Sequence, residues 1–217
     1  MHNPTTPTKK ADIMSSKLIK IVALTTGTLL SSAAFAHAIT PTGSTAFSSF
    51  SAGFAHPFTG LDHLAAMLTV GLWSALTARR AGADLLWAPV GFMTLLLVGA
   101  LVGLDGSHIA MAAVEPMIAA SLLVTGLLVL TRWRLPGLMA ALLVGVFAIF
   151  HGLAHGQELA GHSAAWATLA GMMAATAVLH SAGMGIGWAL RQTNQWPSRA
   201  AGASVAVLGL TLLARLA

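Results

Sequence analysis

The sequence predicts an all-α integral membrane bundle of six transmembrane helices after a cleaved N-terminal signal peptide, with a short half-helix before the first span. Three observations carry that expectation. The 217 residues are 56% hydrophobic and 8% charged, with a mean hydropathy of +0.80, whereas soluble domains carry roughly 25% charged residues. Apolar runs close to the roughly 20 residues that cross the hydrocarbon core fall at 60–78, 85–104, 110–131, 136–154, 164–190 and 198–216. Arginines occupy alternate loops between those runs.

Taken in order, residues 1–36 read as an address: Lys17 and Lys20 form a basic region, Ile21 to Leu30 an apolar one, and 34-AFA-36 a small-x-small cleavage site. Met14 is an alternative start, which would make 1–13 an extension. Residues 37–217 then form the transmembrane domain, with no charge run or linker to mark a second one. All four lysines (Lys9, Lys10, Lys17, Lys20) precede residue 37, leaving no P-loop lysine for ATP hydrolysis. The chain has no cysteine, so any metal must be held by nitrogen, oxygen or thioether.

Ser44 to Ala55 is a shorter apolar stretch, expected to be a half-helix or re-entrant segment that Pro57 interrupts before the first span. Arg79 and Arg80 follow span 1, Arg132 and Arg134 follow span 3, and Arg191 and Arg199 follow span 5, while the loops after spans 2 and 4 have no arginine. Basic loops stay cytoplasmic. That orientation puts the mature N-terminus outside, in agreement with a cleaved signal peptide. The segments 99-GALVG-103 and 183-GMGIG-187 fit the small-xxx-small pattern for close helix approach.

Polar residues gather at the outer ends of three spans. In 56-HPFTGLDH-63, His56 and His63 are two helical turns apart, with Asp62 adjacent, and Pro57 and Gly60 favour an irregular turn that would draw the imidazoles together. In 150-FHGLAHGQE-158, His151, His155 and Glu158 form a stripe on one helical face. Span 3 begins on the same side with His108 and Glu115. Imidazoles and carboxylates suit nickel, cobalt, zinc and iron. Asp62 is placed to fix the tautomer of a neighbouring histidine. Ionisable groups in a membrane are costly unless paired or hydrated, which favours a functional role; hydrogen bonds between helices are the structural alternative. His180 falls past the middle of span 5, as an inner ligand or relay or as a structural hydrogen-bonding group. Cleavage after Ala36 would let the α-amino group and imidazole of His37 chelate one ion together.

These residues carry a resemblance. HPFTGLDHLAAMLTVGLW (56–73) and FHGLAHGQE (150–158) are similar to the two signatures of the HupE/UreJ family, and the signal peptide and six spans also match it. The resemblance implies a nickel permease of the cytoplasmic membrane, secondary or facilitative, linked to hydrogenase and urease systems. It implies metal-interacting positions at His56, Asp62, His63, His151, His155 and Glu158; His37, His108, Glu115 and His180 are carried by physical argument alone. The expected partners are the nickel ion as transported substrate and membrane lipid, with a homo-oligomer compatible with the sequence, no nucleic acid and no prosthetic group. Competing readings are a permease for cobalt or zinc, a metal sensor, and a membrane metalloenzyme. Against the last, 151-HGLAH-155 lacks the glutamate of the HExxH pattern.

Overall fold

The computed structural model describes residues 45–106 and 111–216. The expected signal peptide, His37 and His108 lie outside the described residues. The described part consists of seven helices with no strand: α1 (Ala46–Thr59), α2 (Leu61–Thr77), α3 (Ala83–Leu104), α4 (Met111–Thr131), α5 (Gly137–Leu159), α6 (Ala165–Leu190) and α7 (Trp196–Leu216).

A capping box starts α1: the Ser48 N–H donates to Thr45 Oγ1 at 3.2 Å and the Thr45 N–H donates to Ser48 Oγ at 3.3 Å. The half-helix expected over 44–55 does not stop at Pro57 but continues to Thr59. Proline this near a helix end forfeits only its own N–H bond to Gly53. The Thr59 hydroxyl and the Gly60 N–H both return to the His56 carbonyl, at 2.8 and 3.4 Å. The break comes at Gly60, whose backbone is extended (φ −90°, ψ 115°) and whose carbonyl then accepts from Leu64 N–H at 2.9 Å to begin α2.

Among the described residues, five helices, α3 to α7, are long and apolar enough to cross a membrane. The remaining expected span, 60–78, is α2, which has 17 residues and falls short of the roughly 20 needed. Helix α1 precedes it, so the two form a broken rod. Both pack along the 26-residue α6. A methyl group at Gly53 of α1 would strike the Thr168 carbonyl, and one at Gly71 of α2 would strike that of His180.

Glycine-mediated contacts also fix the directions of the helix pairs. Gly183 and Gly187 meet α2 at Leu68 and Leu72, so α2 and α6 run parallel. Gly91, Gly99 and Gly103 of α3 meet Ala141, Ile149 and Leu153 of α5, again parallel. Gly126 meets Ala206 and Gly209 meets Leu123, so α4 and α7 run antiparallel. Backbones this close need glycine, because packing between transmembrane helices rests on van der Waals contact and not on exclusion of water.

The arginine-bearing loops share one end of the bundle. The Trp73 indole N–H donates to the Trp133 carbonyl at 2.9 Å, and Arg191 Nη2 donates to that of Ala78 at 2.7 Å. Arg132, in left-handed backbone (φ 51°) after α4, donates from Nη2 to Ser198 Oγ at 2.8 Å. A cavity of about 320 Å3 opens at this end, lined by residues including Trp73, Arg79, Asp84 and Arg134. None of the candidate histidines lines it.

Candidate metal centre

Four histidines converge inside the bundle, away from the arginine loops. His56 ends α1 and His63 sits in the first turn of α2, on either side of Gly60. His151 and His155 lie one turn apart on α5. The expected span over 136–154 runs on to Leu159, so the whole second motif is helical. Ring centroids are 4.6 Å apart for His63 and His155, 5.1 Å for His56 and His155, 5.3 Å for His63 and His151, and 5.6 Å for His56 and His63.

One nitrogen from each of His56, His63 and His155 falls within 4.8 Å of the others. Metal–imidazole bonds of about 2.1 Å allow two ligand nitrogens to stand at most about 4.2 Å apart. A small inward movement of the rings is therefore enough to place all three on one ion. His56 is 8% exposed and the other three are more deeply buried, with His151 at 0%. The group lies within the protein, with His151 roughly 12 Å below the end of α5.

Carboxylates flank the imidazoles. His63 Nδ1 is 3.0 Å from Asp62 Oδ1. A carboxylate accepts, so Nδ1 carries the proton and the lone pair is on Nε2, which is buried with no hydrogen-bond partner among the described residues. On α5, His155 Nδ1 lies 3.6 Å from Glu158 Oε2. The two carboxylates place negative charge beside the imidazoles, as a site for a dication requires.

Deeper in the bundle, the Phe92 ring stands 5.7 Å from His151 and 5.1 Å from His180. His180 is buried, and its Nδ1–H donates to the Met67 carbonyl at 2.7 Å. That bond leaves the lone pair on His180 Nε2, which also has no hydrogen-bond partner among the described residues. His180 is thus separated from the outer group by an aromatic ring. Glu115 is exposed on α4, whereas these rings are buried. The fold brings together His56, Asp62, His63, His151, His155 and Glu158, with His180 across Phe92 from His151 and Glu115 exposed on α4.

Sequence reasoning missed Phe92 and Ser121, whose Oγ is 3.1 Å from His151 Nε2. Neither stands in a motif. A phenylalanine in an apolar run and a serine within a span carry no local mark of such a contact.

The family model described as HupE / UreJ protein matches residues 24–212. The chain belongs to the HupE/UreJ family. One HupE/UreJ relative, Protein HupE of Rhizobium leguminosarum bv. viciae, is 40% identical over 165 residues, spanning 75% of this chain and 83% of that protein. No solved structure matches the chain. HupE/UreJ membership supports a nickel/cobalt transporter-type role and a multi-pass membrane protein.

Proposed function

We propose that this chain is a secondary or facilitative Ni2+ permease of the cytoplasmic membrane, which captures the ion between α1, α2 and α5 and releases it at the arginine-bearing end. The observation that carries the reading is the convergence of His56, His63 and His155 nitrogens within 4.8 Å, with His151 against His63. Imidazole suits nickel, cobalt and zinc alike, and the family membership favours nickel among them.

In this reading residues 1–36 are removed and residues 37–217 form the transporter, with α2 as a sixth, short span. Basic loops face the cytoplasm, so the His56 end faces outward and the mature N-terminus is periplasmic. His37, His108 and Glu115 attend the approach of the ion. His56, His63, His151 and His155 bind it, Asp62 and Glu158 balance its charge, and His180 receives it beyond Phe92. The chain carries the ion as cargo, with no prosthetic group and no enzymatic step, and the nickel delivered serves maturation of a nickel enzyme such as hydrogenase or urease.

The test is radiolabelled nickel accumulation in nickel-starved cells expressing the native chain or His63→Ala at equal membrane abundance, with excess Co2+ or Zn2+ as competitors. The expected result is uptake that His63→Ala abolishes and the competitors leave intact. Accumulation no greater than in cells lacking the chain, with Ni2+ bound by the purified protein, overturns the permease reading and leaves a sensor; equal accumulation by the native chain and His63→Ala removes His63 from the path.

A further inference from the structure

The side-chain hydrogen-bond partner of His151 among the described residues is a buried hydroxyl, and that hydroxyl's other bond leaves it one role. Ser121 lies on α4, 1% exposed, and its Oγ–H donates to the Ile118 carbonyl at 2.6 Å. A serine hydroxyl has one proton and two lone pairs. With that proton committed to Ile118, Oγ meets His151 Nε2, 3.1 Å away, as an acceptor. Nε2 must therefore carry the imidazole proton, and the lone pair falls on Nδ1. His151 Nδ1 is buried and has no hydrogen-bond partner among the described residues.

We propose that Ser121 is a positioning residue for metal binding: it holds His151 in the Nε2–H tautomer and so keeps the Nδ1 lone pair available to the ion. The same device acts at two other imidazoles by different means. Asp62 accepts from His63 Nδ1–H, and the Met67 carbonyl accepts from His180 Nδ1–H. Each of the three rings has one nitrogen tied to an acceptor and the other without a hydrogen-bond partner among the described residues. His151 differs in that its acceptor is a side chain on a separate helix, 30 residues away in sequence, where His63 uses its own helix and His180 a backbone carbonyl. Its ring also stands between His63 and Phe92, at 5.3 and 5.7 Å. Ser121 thereby sets the protonation of the imidazole at the step between the outer group and the interior.

The proposal rests on the metal-binding reading of the histidines, and its test separates the two. Ser121→Ala preserves the helix, since alanine is the better helix former, but removes the acceptor. Ser121→Thr retains a hydroxyl. The full chain and both variants are purified and compared for Ni2+ affinity, for thermal unfolding, and for the imidazole nitrogen shifts of histidine-labelled, metal-free protein. Loss of a partner that orients a metal-ligating histidine costs about 10–100-fold in affinity. The expected result is a loss of that size in Ser121→Ala, with restoration in Ser121→Thr and a His151 signal that moves from the Nε2–H form to a mixture in Ser121→Ala. A merely structural serine would lower the unfolding temperature without changing the tautomer. An unchanged His151 signal in Ser121→Ala overturns the proposal, as does unchanged affinity. Failure of the native chain to bind Ni2+ would overturn the metal reading instead, and the metal-free spectra would still decide what Ser121 does to His151.

Discussion

The rings of His56 and His63 stand 5.6 Å apart although seven residues separate them along the chain. In an unbroken helix seven residues advance about 10.5 Å along the axis. The extended backbone at Gly60 removes about half of that separation by ending α1 and starting α2 between the two histidines. The metal group thus depends on a helix being broken at one position.

Gly60→Ala tests that dependence. Alanine favours the helical conformation over glycine by about 1 kcal/mol, which biases α1 and α2 toward one continuous helix. Ni2+ affinity is expected to fall about fivefold on that difference, with total helical content by circular dichroism unchanged or slightly raised. Unchanged affinity would show that packing against α6, and not the glycine, holds the bend.

Asp62→Asn separates charge from shape. The amide is nearly isosteric and its oxygen still accepts from His63 Nδ1–H, now 3.0 Å from the carboxylate, but the negative charge is gone. A weakened partner to a metal-ligating histidine costs about 10–100-fold. Calorimetric titration of the purified variant with Ni2+ is expected to show a loss in that range, and an affinity equal to the native value would remove Asp62 from the site.

Much of this arrangement was legible in the sequence, for identifiable reasons. Helices α3 to α7 announce themselves by hydropathy, because a spanning segment must satisfy its backbone internally and present apolar side chains to lipid. The stripe of His151, His155 and Glu158 follows from helical periodicity, and the irregular turn at Gly60 from the glycine itself. Three features were not legible. The continuation of α1 past Pro57 depends on how close a proline lies to a helix end, and proline alone suggested an earlier stop. The pairing of Ser121 with His151 is tertiary: a serine within a span ordinarily bonds a carbonyl one turn back, as Ser121 also does to Ile118. Phe92 looks like any lipid-facing residue until the packing of α3 against α5 turns it toward His151 and His180.

Acid should weaken capture. A protonated imidazole has no lone pair, so protons compete with the ion at each ligating histidine. The sign is fixed: binding is full where the imidazoles are neutral and is lost as pH falls through the histidine range, near 6.5 for an unperturbed group. Ni2+ affinity of the purified protein, measured at about pH 7.5 and about pH 5.5, is expected to be lower at the acidic value. Equal affinities would show that no ligating imidazole gains a proton between those two values.

His180→Ala distinguishes a path from a single site. His180 does not belong to the group of nitrogens contributed by His56, His63 and His155, and the Phe92 ring stands 5.1 Å from it and 5.7 Å from His151. If the ion travels from the outer group to His180, removing this imidazole leaves capture intact and obstructs passage. Equilibrium Ni2+ affinity should stay within about twofold of the native value, since no ligand of the outer group is touched, while the initial rate of uptake into vesicles falls by at least about tenfold. The tenfold figure corresponds to a barrier raised by about 1.4 kcal/mol, a modest demand for removing an imidazole from a largely apolar interior where a bare dication is costly. Affinity and uptake falling together would place His180 in the capture site itself. Uptake at the native rate would mean that the buried Nε2 lone pair of His180 serves no ion, and that the Met67 carbonyl holds the ring for structural reasons alone.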